Sequence, residues 1–284
     1  MTSDGTMSLS KISIVTPSFN QALFIEQSIR SVLGQAYPDI EHIVVDGGST
    51  DRTIEILKRY PHLTWISEPD RGQTHALNKG FAMATGDIVG WLNSDDTYCE
   101  NIFSDVAKVF ENPEVMVVYG HGFEIDENGA VKRPLFSRGI SEDNLVKYWK
   151  WKCEYVQPAF FFRRAVFKEI GHLDEHLFYV MDYDLLLRLC CRYPFHCLEK
   201  PLANFRLYDT SKTGKKILKI IPDWIWELHK VSRRYWGAPT QLRYYTYIFS
   251  FSGAILFSVF KNIFFVPGSK SRTFLMHKIW KPSS

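Results

Sequence analysis

From Ile12 to Tyr119 short apolar runs alternate with stretches of helical periodicity, and this alternation restricts the fold more than any other feature. Ile12-Ser13-Ile14-Val15-Thr16 reads as a buried strand stopped by Pro17. A helix follows, with Ile25, Ile29, Val32 and Leu33 on one face and Gly34 near its end. Ile40 to Asp46 is a second strand, Gly47 to Asp51 a turn, and Ile54, Ile56, Leu57 and Tyr60 mark a short helix. Leu63–Ser67 is a third strand. Thr74–Thr85 is a helix with a small-residue stripe of Ala76, Gly80 and Ala84, terminated by Gly86. Strand Ile88–Leu92, a helix near Ile102–Glu111 and strand Val115–Tyr119 continue the series. Repeated β-α-β units imply an α/β fold with a mainly parallel sheet and right-handed crossovers.

The middle of the chain is less regular. Asn128-Gly129 predicts a hairpin over Gly122–Val131, and Leu145–Trp151 reads as helical. Ala159–Arg163 is a strand. Asp182–Tyr193 is a helix with Leu185, Leu186, Leu189 and Cys190 inward and Arg188 and Arg192 outward. Phe195–Leu198 and Ala203–Arg206 are two further strands. No repeat or low-complexity segment interrupts the 284 residues, which suffice for one large domain or two small ones. The expected organisation is a disordered stretch over 1–10, an α/β domain over 11–210 and a helical extension over 211–284.

Two adjacent carboxylates, Asp95 and Asp96, stand where strand Ile88–Leu92 ends. Ligands of open α/β sheets bind at the carboxyl ends of the strands. Hard oxygen donors in that place suit Mg2+ or Mn2+ combined with a substrate's phosphates. The competing reading is a helix cap, but Thr97-x-x-Glu100 supplies a capping box by itself and leaves both aspartates spare. Familiar phosphate loops are missing: no G-x-G-x-x-G follows the first strand, and no G-x-x-x-x-G-K-[ST] occurs. In their place stands Thr16-Pro17-Ser18-Phe19-Asn20, where Phe19 is suited to lie against a base and Asn20 to hydrogen-bond it; an ordinary proline turn with a core Phe fits equally. Asp46 is a candidate acceptor for a base N–H, with Gly47 and Gly48 letting the backbone approach, or else a turn cap.

Taken together, five segments in order resemble the glycosyltransferases of family 2, which have the GT-A fold. They are Thr16-Pro17-Ser18-Phe19-Asn20, Val45 to Thr53, Asn78 to Asp87, Asn93-Ser94-Asp95-Asp96 and Met181-Asp182-Tyr183-Asp184. The resemblance covers about residues 10–210. It implies a Rossmann-like nucleotide-diphospho-sugar transferase sheet flanked by helices. Pro17, Phe19, Asn20 and Asp46 then bind the nucleotide, and Arg71 of Asp70-Arg71-Gly72 contacts phosphate or base. Asp96 ligates a divalent Mn2+ or Mg2+ on the diphosphate, and Asp95 contacts ribose or metal.

The same resemblance makes Asp182 the base that takes the acceptor hydroxyl's proton in an inverting displacement; on the residues alone, Asp182 and Asp184 read as helix-dipole partners. Three departures stand out. Met181 replaces the acid usual before the base, Gly47 stands where a second acid is common, and Tyr208 occupies the place of a frequent His. Gln157, Trp149, Trp151 and Asp184 are candidates for the sugar or acceptor site, although buried tryptophans are as often core.

Composition adds a charge asymmetry. The net charge is +3, yet residues 212–284 hold thirteen Lys/Arg against Asp223 and Glu227, a charge of +11 that leaves −8 for the rest. Seventeen uncharged residues separate Arg243 from Lys261, short of the roughly 20 apolar residues of a spanning helix and containing four Ser/Thr. With Arg233, Arg234, Arg243, Lys261, Lys270 and Arg272 around it, the segment reads as helices on an anionic membrane surface, or as an extension packed on the domain. No nucleic-acid module accompanies the charge. Five cysteines without a C-x-x-C pair and a polar start at Met1–Ser10 point to the cytoplasm. The expected activity is transfer from a nucleotide-sugar donor, UDP-linked by preference, to a glycan or lipid-linked acceptor in cell-envelope polysaccharide synthesis. The alternatives are a domain that binds nucleotide or glycan without turnover, and a nucleotidyltransferase, which normally has a basic glycine-rich first loop.

Overall fold

The computed structural model describes residues 10–209, 211–212 and 217–264. The disorder expected over 1–10 falls almost wholly outside these, as do Lys270 and Arg272. The described chain falls into two compact units divided after Tyr235.

In the first unit, β1 (Ile12–Ser18), β2 (Ile40–Asp46), β3 (Thr64–Ser67) and β4 (Ile88–Trp91) form the expected parallel array in the order β3-β2-β1-β4. Helices α1 (Ile25–Leu33), α2 (Thr53–Leu57) and α3 (Gln73–Met83) are the crossovers. Both faces of this array are covered, which is why its strands read as near-continuous apolar runs. On one face α1 and α2 bury Ile25, Ile29, Ile56 and Leu57 against Val44. On the other, α3 presses its small-residue stripe onto the sheet. A Cβ at Gly80 would lie 2.3 Å from Val15 Cγ1 and 3.3 Å from Val45 Cγ2. Gly80→Ala is therefore expected to cost about 1–2 kcal/mol, overpacking outweighing the roughly 1 kcal/mol gain in helix propensity. A fall in the urea midpoint at unchanged slope is the measurement.

Beyond β4 strand directions mix. β5 (Thr97–Tyr98), helix α4 (Phe103–Phe110), β6 (Val117–Ile125) and β7 (Val131–Leu135) follow, then α5 (Glu142–Val146) and β8 (Phe160–Arg163). Helices α6 (Val166–Ile170) and α7 (Met181–Cys190), strand β9 (Phe195–Arg206) and helix α8 (Ile217–Arg233) complete the unit. The sheet continues β4-β8-β6-β9-β5, with β8 antiparallel to both neighbours and β9 parallel to β6; β7 pairs with β6 as the expected hairpin. The two strands expected over 195–206 are one, with register shifts on β6 at Gly120–Gly122 absorbing the irregular stretch before Ala203. Leu145–Trp151 is not one helix: α5 ends at Val146 and a single 3-10 turn spans Tyr148–Lys150.

Thr97 and Glu100 do not cap α4. Thr97 pairs with Asn204 across β5–β9 and its Oγ1 accepts from Asn204 Nδ2 at 3.0 Å, so a tertiary partner displaces the local cap. The helix starts behind Ile102, whose N–H donates to Gln35 Oε1 at 2.9 Å.

The division into compact units falls after Tyr235, and α8, within the extension expected over 211–284, is tied into the first unit. Ser232 Oγ donates to the Val146 carbonyl at 2.7 Å, and Arg234 bridges Asp184 at 2.9 Å and Asp174 at 3.0 Å. The second unit contains α9 (Leu242–Phe264) and Trp236, whose ring lies 5.9–6.2 Å from those of Tyr244, Tyr247 and Phe251. Leu242, Tyr245 and Phe249 are exposed. Among the described residues no helix is long and apolar enough to cross a membrane.

Candidate active site

Strand order reverses between β1, which leads to β2 and β3 on one side, and β4 on the other. Such a switch point opens a crevice at the carboxyl ends of the strands, and here a cleft of about 650 Å³ occupies it. Pro17 and Phe19 line it from the end of β1, Asn93 to Asp96 from the end of β4, Met181 and Asp182 from the start of α7, and Phe205, Arg206, Tyr208 and Lys212 from the end of β9 onward. Segments far apart in the chain thus meet around one space.

At its floor Asp96 is buried and Asp95 half-buried. Asp96 Oδ1 accepts from the Arg206 backbone N–H at 2.8 Å and Oδ2 from Asn93 Nδ2 at 3.0 Å. Asp95 Oδ2 accepts from Tyr208 Oη at 3.2 Å. The Arg206 side chain is itself buried. It donates to the carbonyls of Asp95, Asp126 and Glu127 and to Gln27 Oε1, all at 2.7–2.9 Å, pinning the aspartate loop to the β6–β7 turn. Burial raises both carboxyl pKa values, Asp96 strongly, with the Asp95 charge adding to the rise. Two adjacent desolvated carboxylates are the arrangement that a divalent cation relieves. No group of three metal-ligating side chains exists among the described residues; Asp95 and Asp96 are two hard oxygen donors, a set that would fit Mg2+ or Mn2+ if phosphate and water oxygens completed it.

A line of hydrogen bonds crosses the floor from this pair. Asn93 Oδ1 accepts from Gln73 Nε2 and from Trp91 Nε1, both at 2.8 Å, and Asn93 Nδ2 also donates to Gln157 Oε1 at 2.9 Å. Gln73 Oε1 in turn accepts from Lys212 Nζ at 2.9 Å. The Lys212 amine lies 4.3 Å from the Phe178 ring centre and is pushed down to about 8 by burial, against the pull of Asp182 and Glu227. Asp182 is half-buried, accepts from Tyr155 Oη at 3.2 Å, and has its pKa raised by burial.

Of the residues expected at the site, Pro17, Phe19, Asp95, Asp96, Gln157 and Asp182 line the cleft. Phe19 is 58% exposed there, as a stacking surface for a base requires. The others stand behind or away from it. Asn20, at φ 53°, turns Oδ1 to the N–H groups of Thr50 and Asp51. Asp46 is buried, with its carboxylate taken by the N–H groups of Gly48 and Ser49 and by the hydroxyls of Ser49 and Ser67, the arrangement of a turn cap. Arg71 is paired with Glu175 at 2.5 Å, Asp184 is locked between Arg188 and Arg234, and Trp149 is buried. Trp151 is 54% exposed in a left-handed conformation (φ 52°), 6.2 Å from the Trp224 ring.

The sequence reading did not include Gln73, Lys212, Tyr155 or Asp70 at the site. Asp70 faces Gly47 across the wall: a Cβ at Gly47 would lie 2.7 Å from Asp70 Oδ2, so the acid absent at 47 has a carboxylate from another strand end in its place. The only advance signal was the Asp70-Arg71-Gly72 segment, and it drew attention to Arg71.

Comparison with known proteins identifies the family and the fold. The model of the family "Glycosyl transferase family 2" matches residues 13–171, which reaches Asp95 and Asp96 and stops before Asp182. An uncharacterized glycosyltransferase of Nostoc sp. is 33% identical over 175 residues, 58% of this chain and 54% of that protein. The O-antigen biosynthesis protein RfbC of Myxococcus xanthus is 31% identical over 186 residues, 63% of this chain and 14% of its own length. The chain therefore spans about half or less of these relatives. Two solved structures share the fold at 18% identity. S. aureus TarS 1–349 with UDP-GlcNAc has a TM-score of 0.61, covering 78% of this chain and 65% of that one. The mannosyltransferase PcManGT of Pyrobaculum calidifontis with GDP-Man and Mn2+ has a TM-score of 0.60, covering 96% and 80%. With the matched model extending over more than half of its residues, this chain belongs to glycosyl transferase family 2.

Proposed function

We propose that the protein is a metal-dependent inverting glycosyltransferase, moving a sugar from a nucleotide diphosphate to an acceptor hydroxyl. The observation that carries the proposal is the convergence, in one cleft at the sheet's switch point, of the Asp95–Asp96 pair with Asp182 and Lys212. Phe19 stacks on the base, and Asp70 accepts from base or ribose beside Gly47. Asp95 and Asp96 would hold a divalent cation, which would supply positive charge to the leaving diphosphate. Lys212, held in place by Gln73, adds a positive charge of the chain's own. Asp182, kept basic by burial and oriented by Tyr155, removes the acceptor hydroxyl's proton as that oxygen attacks the anomeric carbon. Attack from the face opposite the leaving group inverts the configuration. Trp151 and Trp224 offer flat faces for a glycan acceptor.

Incubation with Mn2+ and a panel of UDP- and GDP-sugars, reading nucleotide release with and without glycan and lipid-linked acceptors, tests this directly. Binding of UDP or GDP without release from any donor would favour a non-catalytic binding domain instead. Release of pyrophosphate would favour a nucleotidyltransferase.

For Lys212 the expectation concerns pH. Its ammonium is charged below about 8 and neutral above, so donor affinity should weaken as pH rises through that value. Lys212→Met should raise the donor KM roughly tenfold at pH 7, about the worth of one charge-assisted hydrogen bond. Lys212→Arg should restore affinity and abolish the alkaline weakening, because a guanidinium does not titrate there.

In this reading the acceptor is lipid-linked, belongs to cell-envelope polysaccharide synthesis, and is met on the cytoplasmic face of the membrane. The support is the relationship to an O-antigen biosynthesis protein, the +11 charge of residues 212–284, and the exposed Leu242, Tyr245 and Phe249 spaced along one face of α9. The full chain should co-sediment with phosphatidylglycerol vesicles and not with phosphatidylcholine vesicles, and the double variant Leu242→Asp/Phe249→Asp should lose at least tenfold in that binding. Equal sedimentation of variant and wild type removes α9 from this role.

A further inference from the structure

Helix α7, which carries Asp182, begins without a side-chain cap of its own: its N-cap residue is Val180 and the acid expected beside Asp182 is the buried Met181. The carboxylate at this helix entry comes from α8. Glu227 accepts from the N–H of Phe178 at 3.0 and 3.2 Å, of Tyr179 at 2.7 Å and of Val180 at 3.2 Å. Three successive backbone donors converge on one carboxylate, a concave arrangement that binds anions wherever it occurs. Charge-assisted bonds to backbone N–H groups are roughly twice as strong as neutral ones, so the turn is fixed in one conformation. That turn is part of the cleft wall. Phe178 and Tyr179 line the cleft and hold the Lys212 amine at 4.3 and 5.9 Å from their ring centres, while Val180 leads directly into Met181 and Asp182.

We propose that Glu227 is a positioning residue of the transfer reaction: its carboxylate fixes the Phe178–Val180 turn and through it places both the Asp182 carboxylate and the aromatic seat of Lys212. The inference rests on the role given to Asp182 above. It assigns α8 to the reacting centre, although the sequence places that helix in the basic extension. Glu227 also acts by charge. Lys212 feels the carboxylates of both Glu227 and Asp182, so the three form an alternating acid–base–acid series. The other groups acting on Asp182 are Tyr155 by its hydroxyl and the Tyr183 backbone N–H; Asp95 and Asp96 line the same cleft, and Asp184 is turned to Arg188 and Arg234. Removing the Glu227 charge makes Lys212 more acidic, so its titration moves to lower pH.

The test compares Glu227→Gln with wild type and with Asp182→Asn in the full chain with Mn2+, reading nucleotide release from UDP-GlcNAc and GDP-mannose between pH 5 and 9. UDP and GDP binding and thermal midpoint are followed in parallel. Glu227→Gln should bind nucleotide within about threefold of wild type yet release it 10- to 100-fold more slowly, the loss associated with a misplacement of about 1 Å. The alkaline limb of its kcat/KM–pH profile, set by Lys212, should shift to lower pH. A Glu227→Gln protein with wild-type kcat and an unmoved alkaline limb overturns the proposal, as does one whose only change is a lower thermal midpoint. Wild-type release by Asp182→Asn would instead overturn the base assignment, leaving the two failures distinguishable. If Glu227→Ala does not fold, the isosteric Gln variant still carries the comparison.

Discussion

Replacing Asp182 with Asn should leave nucleotide binding near the wild-type value and reduce sugar transfer by about 10²- to 10⁴-fold, the contribution of a positioned general base. That range corresponds to about 3–5 kcal/mol of barrier. The amide keeps the shape of the carboxylate and can still accept from Tyr155 Oη, so the fold around α7 has no reason to change. What disappears is the basic oxygen. The structure also fixes the direction of the pH dependence. Burial raises the Asp182 pKa above the ordinary aspartate value near 4, so transfer by the wild type should fall as pH drops through that raised value. The variant's residual rate should lack this limb. Single-turnover transfer across pH, with UDP and GDP affinities measured alongside, checks both points. Equal transfer by variant and wild type would remove Asp182 from the chemistry.

Asp96→Ala should act on binding. In the wild type Mn2+ is expected to tighten UDP or GDP affinity. The variant retains at most Asp95 as a protein carboxylate and should lose that enhancement, by tenfold or more, with transfer falling by at least 10². Calorimetric titration of nucleotide with and without Mn2+ separates this from a general loss of the site: metal-free affinity should change little. An undiminished Mn2+ effect in Asp96→Ala would place the metal elsewhere. The contrast between the two variants is the sharper result. Asp182→Asn loses turnover with binding retained, whereas Asp96→Ala loses metal-linked binding first.

The residues that sequence reading located best stand at strand ends. Asp95 and Asp96 follow a four-residue buried strand, and Pro17 and Phe19 close another, so the α/β rule places them at the crevice once the alternation is recognised. Polar side chains were less legible, because the sequence does not say which of several partners each one takes. Thr97 looked like a cap and is a strand residue bonded to Asn204. Asp46, read as a base acceptor or a turn cap, and Asn20, read as a base contact or part of a turn, both bond within the Gly47–Asp51 turn. Asp184 sits two residues from Asp182, but a helix turns such neighbours to different sides, and this one meets Arg188 and Arg234 in the interior.

The sequence by itself determined the fold class, the parallel array from Ile12 to Trp91 and the position of the acidic pair, because these follow from local periodicity and from which strand ends carry carboxylates. Only the tertiary structure decided which groups act on that pair and on Asp182. Gln73, Lys212, Tyr155, Arg206 and Glu227 come from separate elements, and nothing in local spacing brings them together. Their meeting follows from β9 running beside β6 to deliver Arg206, Tyr208 and Lys212, and from α8 folding back to present Glu227 at the start of α7. Burial then sets their chemistry, raising the carboxyls and lowering the amine, and burial is a property of the packed chain rather than of any segment in it.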